Sequence, residues 1–393
     1  LSCCYQSIYL SFAANILLSE KMNQTNSTKK PEQKFRHTIQ SDLKNINFRK
    51  DFSNEYKNLS RFYLDSEKKS QLESMTFVER WVHKFAWLTK SMFLHLTPLR
   101  RILVLLGVFL LFISSSVSIN SVSLSSNWGL FGGLLIVFVL FLELKDKLLA
   151  KNELEAGRKV QRALMPEQNP EIAGWTIWLF TRPANEVGGD LVDYLRLDES
   201  KTVLTIADVA GKGLQAALMT SKLQATIRAL ATEINSLSDF GKKINKIFHR
   251  DSLPNLFASM LFIQIDSDSG KIDFINAGHF PPLIVNDNEI KELSKGDIAL
   301  GLVSNAEYNE QTLVLKQYEI FVAYSDGVFE ARNEYGQFFG MERFQKLIKN
   351  SSSNTPQQIG NSIVLQLEQF IGDYPAADDI SLIIMKRNSQ RNI

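Results

Sequence analysis

Four times between residues 187 and 380, an aspartate stands at the edge of an apolar run with glycine or a second aspartate at hand. The stretches are Val187-Gly188-Gly189-Asp190, Ala207-Asp208-Val209-Ala210-Gly211-Lys212-Gly213, Ser325-Asp326-Gly327 and Ala377-Asp378-Asp379-Ile380. A carboxylate supplies hard oxygen ligands, and glycine lets backbone come close or turn sharply. Any one Asp-Gly pair reads as a turn. Four at the ends of apolar strands predict a fold that gathers them into one cleft. There they would repel one another unless cations intervene. An oxygen-only donor set selects Mg2+ or Mn2+, and no clustered His or Cys suggests zinc.

The segments around these aspartates read as strands over Trp175–Thr181, Val187–Leu197, Thr202–Asp208, Phe257–Asp266, Lys271–Asn276, Pro282–Asn286, Thr312–Lys316, Glu319–Tyr324 and Ile380–Lys386. Helical patterns fall at Gly213–Glu233, Leu237–His249, Met341–Asn350 and Pro356–Ile371. The helices come in blocks between runs of strands. That predicts an α+β sandwich and argues against a doubly wound parallel sheet.

The amino-terminal part has another character. Residues 22 to 101 carry 16 Lys/Arg against 8 Asp/Glu, whereas the 393-residue chain has a net charge of only +2. Residues 1–21 are neutral, so 102–393 carry −6. A basic arm ahead of an acidic domain suits a chain lying against anionic lipid. Nothing in the pattern points to nucleic acid. Met22 reads as a start, with residues 1–21 not native, and residues 1–75 read as a polar, poorly ordered region. The only cysteines, Cys3 and Cys4, build neither a disulfide framework nor a zinc site. Residues 76–98 predict an amphipathic helix at a membrane surface, with Trp81, Phe85, Trp87 and Met92 at helical spacing. Two uncharged apolar runs follow. They predict transmembrane helices at about 102–120 and 126–144, within a 99–144 membrane region. Arg100, Arg101, Lys145 and Lys147 flank them and put both ends in the cytoplasm, a multi-pass arrangement in the inner membrane. Residues 145–166 read as a linker helix, suited to pair with its twin in a homodimer.

Residues about 174–387 resemble the SpoIIE-type (RsbU-like) branch of the metal-dependent PPM serine/threonine phosphatases. The matching stretches are Arg182-Pro183-Ala184 with Val187-Gly188-Gly189-Asp190 and Asp193; Ala207-Asp208 through Gly213 with Ala216-Ala217-Leu218-Met219; Asn276-Ala277-Gly278-His279 with Pro281-Pro282; Tyr324-Ser325-Asp326-Gly327 with Glu330-Ala331; and Asp378-Asp379-Ile380-Ser381-Leu382. Gln161-Arg162-Ala163-Leu164-Met165-Pro166 ahead of the domain is also typical of the branch.

The resemblance implies a four-layer α-β-β-α sandwich over 172–388, with two Mn2+ or Mg2+ ions between its sheets. It implies hydrolysis of phosphoserine or phosphothreonine by direct attack of a metal-bound water. Asp208, Asp190 and Asp326 would be the catalytic carboxylates. Asp208 would bridge the metals with the Val209 carbonyl nearby. Asp326 and Asp378 would ligate one ion, with Asp379 an alternative to Asp378. Asp190 would meet the other ion directly or through water. The expected substrate is a phosphorylated regulatory protein, a STAS-type anti-sigma factor antagonist. Lys212 stands where the branch commonly has His, and Leu191-Val192 replaces an aromatic pair. The Asn-Ala-Gly-His stretch is expected to shape a turn, with His279 structural rather than catalytic. Two other readings compete: a catalytically silent membrane scaffold that binds a phosphoprotein, and a nucleotidyl cyclase suggested by Gly188-Gly189-Asp190.

Overall fold

The computed structural model describes residues 75–388 except 114, 120, 121, 127, 287, 288, 351 and 352. The expectations for residues 1–74 lie outside the described residues. The chain divides into two compact units, 1–142 and 143–393.

In the first unit, helix α1 spans Phe77–His95. Its start is fixed by Thr76, whose amide and hydroxyl donate to Glu79 Oε2 at 3.2 and 2.7 Å. Val78, Trp81, Val82 and Phe85 are exposed along it. Helix α2 spans Pro98–Phe112, with proline in the first turn. It stops well short of the expected 120. The Ser/Val/Ile alternation beyond it has the period of a strand, and β1 (Ser115–Ile119) pairs antiparallel with β2 (Val122–Ser126), Val117 opposite Leu124. Fifteen residues of α2 fall below the ~17 needed to cross hydrocarbon. Among the described residues, one helix is long and apolar enough to cross a membrane. It is α3, Trp128–Leu164, whose 37 residues run unbroken through the expected second span and linker. A pair of full-length membrane helices is therefore not shown among the described residues. Helices α2 and α3 meet backbone to backbone: a Cβ added at Gly107 would lie 2.8 Å from Ile136 Cγ1, and one at Gly132 would lie 2.9 Å from Leu111 N.

In the second unit, β3 (Glu171–Ile172), β4 (Trp175–Arg182), β5 (Asp190–Arg196) and β6 (Lys201–Val209) precede α4 (Leu214–Leu230) and α5 (Leu237–Asp251). Then come β7 (Ala258–Asp266), β8 (Lys271–Ala277), β9 (Leu283–Val285), β10 (Ile290–Glu292), β11 (Gln311–Val314) and β12 (Ile320–Tyr324). Helices α6 (Met341–Asn350) and α7 (Pro356–Ile371) and strand β13 (Ile380–Arg387) complete it. The strands form two antiparallel sheets, β10-β9-β12-β13-β4-β3 and β11-β8-β7-β6-β5.

Period-two alternation sorts each strand onto two apolar faces. Between the sheets lie Ile177, Leu179, Leu204, Ile206, Leu261, Ile263, Phe321 and Ile383. Outside the five-stranded sheet, Val203, Ala207 and Phe262 meet Leu223 and Ile227 of α4 and Ile244 and Phe248 of α5. Outside the six-stranded sheet, Trp178, Val322 and Ile384 meet Phe344 of α6 and Ile359, Ile363 and Leu367 of α7. The layers are helix, sheet, sheet and helix, as expected. Each fully buried large apolar side chain contributes about 1.5–3 kcal/mol of transfer free energy. Helix α7 seats on Trp178 so closely that any Cβ at Gly360 would run into the indole ring. The two-residue β3 and three-residue β10 are edge strands that the sequence pattern did not mark.

Candidate metal and phosphoryl-transfer site

The aspartates collect where the central sheets part. Asp190 opens β5 and Asp208 lies next to the end of β6, and the two are direct cross-strand partners. Alternation puts both on the face turned toward the other sheet, beyond Val192, Leu204 and Ile206. Gly188-Gly189-Asp190 thus starts a strand after a loop that crosses from one sheet to the other. It is not the tip of a hairpin, so the cyclase reading loses its structural basis. Asp326 begins a 3-10 turn directly after β12, and Asp378 and Asp379 immediately precede β13. Strands β12 and β13 are neighbours, so these carboxylates arrive from the opposite sheet.

Asp379 organises the crossing loop. Its Oδ1 accepts from the Ala184 amide at 2.7 Å, and its Oδ2 accepts from Gly189 at 2.6 Å and Asp190 at 3.2 Å. Two glycines are dictated by this approach. A Cβ at Gly188 would lie 2.6 Å from Asp379 Oδ2, and one at Gly327 would collide with the Asp379 carbonyl. Asp378 is the more exposed neighbour, with its Oδ2 3.2 Å from Lys212 Nζ, which also donates to the Ala377 carbonyl at 2.9 Å. Lys212 therefore places a cation at the rim. The Val209 carbonyl lies beside Gly189, 3.0 Å from where a Cβ there would stand.

Electrostatics mark the cluster as unbalanced. Burial, followed by the charges of Asp208 and Asp379, pushes the Asp190 carboxyl well above its ordinary range. Burial, then Asp326, Asp378 and Asp379, pushes Asp208 up to about 6. Asp326 is raised by burial and by Asp378 and Glu330. Burial also raises Asp379, against the pull of its three amide donors. Asp190 Oδ2 is buried without a hydrogen-bond partner. Among the described residues, no three His, Cys, Asp or Glu side chains converge into a ready-made metal cluster. The donor chemistry nonetheless fits hard divalent cations: oxygen atoms alone, mutually repelling, one of them orphaned.

Of the supporting residues, Gln161 and Asp193 lie in quoted sequence stretches that do not fix their roles, and Thr220 and Arg228 had no signal in the sequence. Gln161, near the end of α3, donates to the Gly188 carbonyl at 2.8 Å and accepts the Gly188 amide at 3.1 Å. Thr220 of α4 donates to the Gly189 carbonyl at 2.6 Å. Asp193 sits on the other face of β5 and binds Arg228 of α4, so it belongs to the scaffold of the cleft. Gln161 could have been suspected from the Gln-Arg-Ala-Leu-Met-Pro stretch. Arg228 could not, because a lone arginine on a helix reads as solvated. His279 is buried in the turn after β8 and hydrogen-bonds Ser259.

Residues 198–388 match the family model described as Stage II sporulation protein E (SpoIIE). The chain is 31% identical over 265 residues to Protein IcfG of Synechocystis, covering 60% of this chain and 42% of that protein. It is 27% identical over 239 residues to Phosphoserine phosphatase RsbU of Bacillus subtilis, covering 60% of this chain and 70% of that one. It thus spans less than half of the first relative and about two thirds of the second. The fold matches the SiaA-PP2C domain of Pseudomonas aeruginosa at a TM-score of 0.53 with 21% identity, over 62% of this chain and 98% of that domain. In its family match over residues 198–388 and in its fold, this part of the chain is similar to the SpoIIE/RsbU type of PPM phosphatases.

Proposed function

We propose that the chain is a membrane-anchored, metal-dependent phosphoserine/phosphothreonine protein phosphatase. The observation that carries this reading is the cross-strand pair Asp190 and Asp208 facing Asp326 and Asp378 at the open end of the inter-sheet layer. Asp208, at the centre of the mutual repulsion, would hold both cations, with Asp326 and Asp378 on one and Asp190 on the other. Two Mn2+ or Mg2+ ions, when bound, supply water activation and neutralise charge on the phosphoryl oxygens. The chain's own residues do the rest. Asp379 is engaged with three loop amides, which supports Asp378 as the ligand and Asp379 as the residue that orients Asp190. Lys212 at the rim suits attraction of a phosphate dianion.

The substrate is a phosphorylated regulatory protein, of the STAS-type antagonist class that the resemblance implies. The apolar half of α3, with α2 packed against it, anchors the chain. The phosphatase domain then lies in the cytoplasm at the inner membrane, with α1 on the lipid surface. A signal reaches the cleft through the linker part of α3, which pairs with its twin in a dimer. The Gln161–Gly188 contact and the bond from Gln224 to the Leu164 carbonyl, at 2.9 Å, support that route.

Mn2+-dependent release of phosphate from a phosphoserine peptide by the full chain tests the activity. Absence of turnover with any phosphopeptide would favour the silent scaffold. Phosphopeptide profiling of cells lacking the protein tests the substrate class.

A further inference from the structure

The buried His279 has no part in the chemistry described so far, yet it is held with unusual care. Its amide donates to Asn276 Oδ1 at 2.7 Å, and its carbonyl accepts from Asn276 Nδ2 at 3.1 Å. Asn276 is fully buried, and Gly278 between them takes a φ of 72°, which lets the chain double back. The turn aims the ring at β7, where His279 Nδ1 lies 2.8 Å from Ser259 Oγ. Ser259 in turn is the direct cross-strand partner of Asp208. Directly opposed residues on adjacent strands have Cβ atoms ~5 Å apart on one face of the sheet. Alternation along β7 confirms the face, since Leu261, Ile263 and Ile265 all lie between the sheets. Ser259 is only partly buried, whereas Ala258 and Met260 beside it are fully buried on the helix side. It therefore stands at the open end of the cleft, next to the central carboxylate.

The imidazole is neutral at physiological pH, because burial pulls it down to about 4 against the opposing pull of the Tyr324 backbone carbonyl. In the neutral tautomer that carries its proton on Nε2, Nδ1 accepts from the serine hydroxyl. The lone pairs of Ser259 Oγ are then left for the cleft.

We propose that Ser259, oriented by His279, is a positioning residue of the metal site, presenting an oxygen acceptor beside Asp208 to a water carried by a divalent cation. The inference rests on the metal-dependent phosphatase reading. Such outer contacts typically change metal affinity by ~10–100-fold.

The test is calorimetric titration of the full chain with Mn2+ alone, for wild type, Ser259→Ala, Ser259→Thr and His279→Asn. Removing the serine hydroxyl should weaken Mn2+ binding about tenfold, with the circular dichroism and metal-free melting temperature unchanged. Threonine should restore the affinity. Asparagine, which keeps an acceptor near Nδ1, should fall between wild type and alanine. With p-nitrophenyl phosphate, the Mn2+ concentration for half-maximal rate should rise in Ser259→Ala while KM for the ester stays constant. Wild-type Mn2+ affinity in Ser259→Ala overturns the proposal. Serine-dependent Mn2+ binding in a chain that hydrolyses no phosphoester would sink the phosphatase reading and leave the pair standing.

Discussion

Asp193 on β5 and Arg228 on α4 form a two-pronged ion pair, Arg228 Nε donating to Oδ2 at 2.8 Å and Nη2 to Oδ1 at 2.7 Å. The carboxylate is buried and the guanidinium partly exposed. The pair fastens the helix outside the five-stranded sheet to the strand that begins with Asp190. Arg228→Ala strands a buried carboxylate, which costs ~3–5 kcal/mol in a fully buried pair and about 2–3 kcal/mol after allowance for the exposed arginine. Urea unfolding should show the loss, and Arg228→Lys should recover only part of it because the fork is gone.

The reciprocal bonds between Gln161 and Gly188 are local ties on the Asp190 loop. Each neutral bond contributes ~1 kcal/mol. Gln161→Ala should therefore cost about 1–2 kcal/mol of global stability while amide exchange across residues 184–190 quickens about tenfold or more. Unaltered exchange in that window would show that the end of α3 does not restrain the loop.

The raised Asp208 carboxyl makes a signed prediction for the metal-free chain. Its pKa is about 6 in the folded protein against 3.8 ordinarily. Between these values the folded state holds the proton and the unfolded state does not, so stability falls as pH rises through the window. The contribution is present below about pH 4, is lost by pH 7, and amounts to about 2–3 kcal/mol. Melts in chelator at pH 4.5 and 7 should show a larger drop for wild type than for Asp208→Asn. Saturating Mn2+ should remove most of that difference at pH 7, and its stabilising effect should shrink below pH 6.

Gly360 lets α7 lie on Trp178, one of the largest fully buried side chains. Gly360→Val must push the helix off the six-stranded sheet and should cost ~1–3 kcal/mol or more by overpacking. Near-ultraviolet circular dichroism would register the displaced indole, and an unchanged spectrum would place the helix elsewhere.

The sandwich was legible because each strand carries its period-two pattern and each outer helix its apolar face. On β6, Leu204 and Ile206 turn toward the other sheet, and Val203 and Ala207 turn toward the helices. The aspartates were legible because each stands at the edge of an apolar run. Two things were not. The adjacent Asp378 and Asp379 are alike in sequence, and only the amides of Ala184, Gly189 and Asp190 tell them apart. The apolar run after Arg101 has the hydropathy of a helix throughout, yet beyond Phe112 the Ser/Val/Ile alternation turns it into paired strands. Composition measures hydropathy but not the period on which backbone pairing depends.

The central claim is that carboxylates meeting between two sheets hold divalent cations for phosphoester hydrolysis. Its most direct measurement is turnover of a phosphoserine peptide by the full chain against Mn2+ concentration, for wild type, Asp208→Asn and Asp326→Asn. Turnover should require the cation and fall by at least about a hundredfold in both variants, whose folded content is unchanged by circular dichroism. Wild-type turnover in both, or turnover undiminished in chelator, would contradict it.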